Sequence, residues 1–196
     1  MTDQQIEIEF KNMLTQEEYK LLINAFHISE HQLVEQENFY FDTRQFSLKK
    51  RNSALRVRKK EGKYELTLKE PLQVGLLETN QTITEKDMTM LLENISFPDG
   101  KIKETIERWN LSPKQIMFFG SLKTIRAEIT YKGGILVFDH NYYLNKEDFE
   151  LEYEVENYHE GKKIFESLLN EFNIPLRRAD NKIVRFYREK IKCIEG

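Results

Sequence analysis

Charged side chains recur at every second position in one short segment after another, and that alternation constrains this chain more than any other feature. Side chains at i, i+2 and i+4 of a β-strand share one face. In Ile6-Glu7-Ile8-Glu9-Phe10-Lys11, Glu7, Glu9 and Lys11 lie opposite Ile6, Ile8 and Phe10. In Leu55-Arg56-Val57-Arg58 the two arginines share a face. Leu66 and Leu68 oppose Glu65, Thr67 and Lys69, while Glu78, Asn80 and Thr82 share a face, as do Arg126 and Glu128. The segment from Phe149 to Glu156 sets Glu150, Glu152, Glu154 and Glu156 against Phe149, Leu151, Tyr153 and Val155.

A single strand of this kind is an ordinary half-wet strand, since antiparallel sheets commonly keep one face in water. The set is more specific. Acids stand near both ends of the chain and bases stand between them. Four glutamates in a row on one face repel one another unless a cation sits there. Carboxylates so arranged suit hard cations such as Mg²⁺ or Mn²⁺. Clustered Arg and Lys suit phosphate oxygens. Together these are the needs of phosphoryl transfer, where positioning and charge neutralisation dominate. The apolar faces must then pack outward against helices, which makes a barrel charged inside and apolar outside.

The rest of the chain supplies the helices. Thr15-Gln16-Glu17-Glu18 is a capping box ahead of a helix through Leu21, Leu22 and Phe26. Glu61-Gly62 and Lys132-Gly133-Gly134 read as hairpin turns. Residues from about 84 to 119 read as helical, broken at Pro98-Asp99-Gly100, with a second helix start at Ser112-Pro113. Strands return at Leu122–Thr130 and Ile135–Asp139, and further helices cover about 158–172 and 180–191. The expectation is an α+β fold of about eight mostly antiparallel strands in a single domain over residues 1–196, with a helical insertion at about 84–119.

Composition narrows the partners. Lys plus Arg, at 30, nearly cancels Asp plus Glu, at 33, so the net charge of −3 gives no long-range pull toward nucleic acid or an anionic membrane. The one cysteine, Cys193, allows no internal disulfide. The opening residues lack signal-peptide character, and no apolar run approaches the roughly 20 residues that cross a bilayer. A cytoplasmic protein is expected.

Glu7-Ile8-Glu9-Phe10-Lys11 resembles the E-x-E-x-K signature of the CYTH superfamily, the triphosphate tunnel metalloenzymes. The resemblance continues through Tyr40 and Asp42, the pair Arg56 and Arg58, Lys69, Glu78, Arg126, Asp139, the strand Glu150–Glu154 and Lys182. It covers nearly the whole chain and looks most similar to the longer Firmicute members. It implies an eight-stranded antiparallel closed tunnel with a charged interior and flanking helices. By that resemblance Lys11, Arg56, Arg58, Lys69, Arg126 and Lys182 would hold phosphate oxygens. Glu7, Glu9, Glu152 and Glu154 would bind Mg²⁺ or Mn²⁺, with Glu150 an alternative to Glu154. Glu9, Lys11, Arg58 and Glu152 would carry catalysis. Tyr40, Glu78, Asp139 and Glu150 would stand one layer behind. Phe41 replaces a second tyrosine found in many relatives. Asp139 shares strand parity with Ile135 and Val137, so an inward Asp139 calls for a bulge or a strand end.

Three functions compete at this stage. They are hydrolysis of a small triphosphate such as tripolyphosphate, cyclisation of ATP as in class IV adenylate cyclases, and binding of polyphosphate or a nucleotide without turnover. The four histidines show no ligand spacing. Met117, Phe118 and Phe119 read as filling a helical core, with a tunnel edge or a homodimer contact as the alternative. Arg177, Arg178 and the bases from Lys182 to Arg188 read as a solvated helix face.

Overall fold

The computed structural model describes residues 2–195, with side chains through Lys192, so the Cys193 thiol lies outside the described residues. Eight strands close into an antiparallel barrel in the order β1-β5-β4-β3-β2-β6-β7-β8. They are β1 (Thr2–Leu14), β2 (Val34–Thr43), β3 (Ala54–Lys60), β4 (Lys63–Pro71), β5 (Leu76–Ile83), β6 (Ile116–Tyr131), β7 (Gly134–Tyr143) and β8 (Lys146–Val155). The helices are α1 (Gln16–Ala25), α2 (Ser47–Lys50), α3 (Glu85–Leu92), α4 (Lys101–Arg108), α5 (Tyr158–Glu171) and α6 (Lys182–Glu195).

Local chemistry fixes the turns and helix starts. Thr15 and Glu18 each bond the other's backbone amide, closing the expected box at the start of α1. Thr84 and Asp87 do the same for α3. Glu61 at φ 49° and Gly62 at φ 74° make the two-residue turn between β3 and β4. Lys132 at φ 42° and Gly133 at φ 83° make the matching turn between β6 and β7. Positive φ at both central residues is what a tight hairpin demands.

The chain divides into two compact units, and β1, β2 and β6 contribute to both. The first holds the start of β1 up to Ile6 and residues Gln36–Ser121. Its apolar core joins Phe41, Leu55, Val57, Leu66 and Leu68 from the strands to Met88, Leu91, Ile102 and Ile106 from α3 and α4. The second holds Glu7–Glu35 and everything from Leu122 onward. Its core joins Leu14, Leu136, Phe138, Phe149, Leu151 and Tyr153 to Leu22 of α1 and to Phe165, Leu168 and Leu169 of α5. Each such buried side chain contributes about 1.5–3 kcal/mol. In both units the apolar strand faces meet helices, which leaves the charged faces for the barrel interior.

Two local readings of the sequence are corrected. The helical stretch ends earlier than about 119. Pro113–Gln115 is one turn of 3₁₀ helix, and β6 already begins at Ile116. Met117, Phe118 and Phe119 are therefore strand residues, and the Phe118 ring packs against Phe39 and Phe41. Asp139 points inward with neither a bulge nor a strand end. The register runs unbroken from Ile135 opposite Glu154, through Val137 opposite Glu152, to Asp139 opposite Glu150. The physical reason is that Ile135 and Val137 share the charged face, while Leu136 and Phe138 carry the apolar core.

Candidate active site

In the second unit the register of β1 against β8 pairs Lys11 with Glu152 and Glu9 with Glu154. Lys11 Nζ stands 2.8 Å from Glu9 and 3.0 Å from Glu152. Across the other edge of β8, Glu150 is level with Asp139, which is level with Arg126 on β6. Arg126 donates from Nε and Nη2 to the two oxygens of Asp139, at 2.7 and 2.6 Å, and from Nη2 to Glu152 at 2.9 Å.

Lys182, in the first turn of α6, completes the cluster. Its ammonium lies 2.8 Å from Asp139, 2.7 Å from Glu150 and 2.7 Å from Glu152. The oxygens of Asp139, Glu150 and Glu152 stand within 4.8 Å of one another. Arg185, one turn further along α6, pairs with Glu150 at 2.9 Å and with Asp148 at 3.0 Å. Arg185 and Asp148 escaped the sequence reading. The signal was the spacing of Lys182 and Arg185, three residues apart and so on one helix face.

Electrostatics separates two groups of acids. Burial pushes the Glu152 carboxyl up, but Lys11, Lys182 and Arg126 outweigh it and hold it well below the usual carboxylate range. Asp139, against Arg126 and Lys182, and Glu150, against Lys182, Lys11 and Arg185, are likewise held low despite burial. Burial also opposes the charge on Lys11, yet Glu152, Glu9 and Glu150 keep its pKa well above the ordinary value. These acids are matched by bases already present. Glu154 differs. Burial, with Glu7, Glu152 and Glu9 nearby, pushes its carboxyl up to about 7, and Arg126 only partly offsets this. Glu154 is thus an acid crowded by other acids, Glu7, Glu9 and Glu152. Carboxylate oxygens crowded in this way fit a hard divalent cation.

The interior face of the first unit carries the other expected residues. Tyr40, Arg56, Thr67 and Asn80 follow one another across β2, β3, β4 and β5. Asn38 accepts from Arg58 Nε at 3.3 Å, and Thr67 donates to Asn80 at 2.8 Å. Lys69 is paired with Glu78, which also accepts from Gln5 at 3.3 Å. Arg56 Nε is buried and has no hydrogen-bond partner among the described residues. A buried donor without an acceptor costs free energy until an acceptor arrives. Asp42 takes a different place. Its carboxylate accepts from the amides of Thr43, Leu48 and Lys49 at 2.7, 2.9 and 3.1 Å, so it caps α2.

Known proteins resemble this chain in sequence and fold. The family model described as the CYTH domain matches residues 5–187. A Bacillus subtilis (strain 168) protein named "Putative triphosphatase YjbK" is 49% identical over 191 residues, covering 97% of this chain and 99% of that protein. A crystal structure from Bacillus halodurans, described as "a putative adenylate cyclase", is 41% identical with a TM-score of 0.90, covering 94% of this chain and 98% of that one. A Hippeastrum structure, described as a "Putative adenylyl cyclase" with "a dominant triphophatase activity", shares the fold at 23% identity and a TM-score of 0.78, over 94% of this chain and 96% of that one.

Proposed function

The chain belongs to the CYTH domain family, and from that premise we propose that it hydrolyses a small triphosphate, with inorganic tripolyphosphate as the leading substrate. One observation carries the reading. The strand faces turned away from the apolar cores hold a crowd of acids around Glu154 in the second unit and, in the first, an Arg56 whose buried Nε has no hydrogen-bond partner among the described residues. A triphosphate carried by a divalent ion would bring a cation to such acids and acceptors to such a donor. The name of the 49% identical Bacillus subtilis relative supports the same activity.

In the second unit Glu7, Glu9 and Glu154, with Glu152 beside them, would hold Mg²⁺ or Mn²⁺. Such an ion neutralises phosphate charge and lowers the pKa of the attacking water. Lys11, Arg126 and Lys182 would take phosphate oxygens as charge-assisted donors. Asp139 and Glu150 would keep Arg126 and Lys182 in place through the short contacts already described. In the first unit Arg56 and Arg58 would bind further phosphate oxygens with their planar forks, and Lys69 would do so as a point charge held by Glu78. Tyr40, level with Arg56, would orient that fork. A single domain acting in the cytoplasm on a small molecule, with neither membrane nor nucleic acid as partner, fits this reading. None of the described helices is long and apolar enough to cross a membrane.

A second reading has its own support, because the 41% identical Bacillus halodurans structure is described as an adenylate cyclase. Products separate the two. The protein is incubated with Mg²⁺ or Mn²⁺ and with tripolyphosphate, thiamine triphosphate or ATP, and every phosphorus product is identified by NMR. Orthophosphate from tripolyphosphate, lost in Glu9→Gln, is the expected result. Pyrophosphate with cyclic AMP from ATP would replace the proposal by cyclisation. Binding of each compound without turnover would refute hydrolysis.

A further inference from the structure

Arg185 stands behind Lys182 in a way that reaches beyond an ordinary surface ion pair. Its side chain is 9% exposed. Nη1 and Nη2 donate to the two oxygens of Glu150 at 3.2 and 2.9 Å, so the fork grips that carboxylate from both sides. Nη2 also donates to Asp148 at 3.3 Å, and Nη1 to the Asp180 carbonyl at 2.7 Å. Asp148 is itself held from β7, by Asn141 at 3.0 Å and by the Tyr143 hydroxyl at 2.7 Å. The same Glu150 oxygen that faces Arg185 at 2.9 Å faces Lys182 at 2.7 Å.

The geometry is a two-rung ladder. Asp148, Glu150 and Glu152 are successive residues on one face of β8. Lys182 spans Glu150 and Glu152, while Arg185 spans Asp148 and Glu150. Resting on the reading that Lys182 handles phosphate, we infer that Arg185 is the positioning residue that sets where the Lys182 ammonium sits. It fixes the first turns of α6 against β8 and holds the shared carboxylate still. Lysine is the wrong group for that place. A single ammonium cannot grip Glu150 with a fork and also reach Asp148, and a buried carboxylate left half-compensated is costly.

The test reads the ammonium directly. Protein labelled with ¹⁵N-lysine gives a Lys182 Nζ resonance, assigned by its loss in Lys182→Met. In Arg185→Gln that resonance is expected to shift or broaden away, with kcat for phosphate release down roughly 100-fold and KM little changed. Arg185→Lys restores part of both. If Arg185→Gln does not fold, Asp148→Asn loosens the same fork while leaving Arg185 in place, and a smaller change in the same direction is expected. An unmoved resonance with unchanged kcat, in whichever of these variants folds, overturns the proposal. Full turnover by Lys182→Met would instead sink the assignment of Lys182 to phosphate, while the resonance would still report whether Arg185 positions it.

Discussion

Arg126 and Asp139 meet as two forks, with Nε and Nη2 donating to the two carboxylate oxygens at 2.7 and 2.6 Å and the aspartate fully buried. Asp139 also faces Lys182 at 2.8 Å, so one carboxylate compensates two buried cations. Asp139→Asn keeps the shape and removes the charge. The expected cost is about 3–5 kcal/mol, the usual consequence of breaking a buried pair from one side. Urea titration at neutral pH measures it, and a loss below about 1 kcal/mol would mean that the cations find other compensation.

Arg56 gives the opposite combination. Its Nε is buried without a partner, so replacing the side chain by Met removes no hydrogen bond at that atom. Arg56→Met is expected to leave the unfolding midpoint unchanged or slightly raised. Tripolyphosphate should bind about 10–100-fold more weakly, matching ~1.5–3 kcal/mol for a hydrogen bond to a charged group. Calorimetry with a non-hydrolysable analogue decides it, and equal affinity for both proteins would show that the phosphate lies elsewhere.

Glu154 sets a pH dependence in the metal-free protein. Its carboxyl is pushed up to about 7, above the unfolded value near 4.3. The folded state therefore holds the proton more tightly, and stability falls as pH rises between those two values. Glu154→Gln removes that penalty, so it should raise the unfolding midpoint at pH 8 and do less at pH 5. Carbon NMR of the labelled carboxyl should show titration near neutrality that moves down when a divalent ion is added, since metal and proton compete. Titration near pH 4 without metal would contradict the crowding of Glu7, Glu9 and Glu152 around it.

Glu18 runs the other way. Arg177 donates to its two oxygens at 2.6 and 2.9 Å and holds its carboxyl below the usual value. That stabilisation is present above the unfolded pKa and is lost as pH falls through the lower folded one. Glu18→Gln preserves an acceptor for the Thr15 amide, so the helix cap survives and the ion pair alone is removed. The expected cost at pH 7 is at most about 1 kcal/mol, vanishing in acid. Denaturation at pH 7 and pH 3 checks it, and an equal cost at both would assign the effect to the cap.

The barrel was legible wherever charge alternated with apolar residues, as in Ile6–Lys11 and Phe149–Glu156, because that period has one structural meaning. It was illegible where alternation fails. Ile116-Met117-Phe118-Phe119 has no period to read, and the Phe118 ring packs against Phe39 and Phe41 of β2 while the Phe119 ring packs against Phe46, just ahead of α2. Asp139 misled by parity, since a charged interior still tolerates Val137, and no rule of alternation says which apolar residues face inward. Lys182 could be named only by resemblance. Its partners are 30 residues or more away in sequence, and nothing local marks it apart from the other bases of α6. Arg185 was lost because its one local mark, the three-residue spacing from Lys182, is shared by any solvated helix face.

The pairing of β1 with β8 also has a history in time. Lys11 and Glu152 are 141 residues apart. At translation rates of about 5–20 residues per second, the first half of that pair leaves the ribosome roughly 7–30 s before the second. Through that interval the β1 edge from Ile8 to Leu14 waits without its native neighbour. A waiting apolar edge invites other chains, and charged residues along it discourage them. Glu9 and Lys11 put charge of both signs along that edge, the pattern that discourages edge-to-edge pairing.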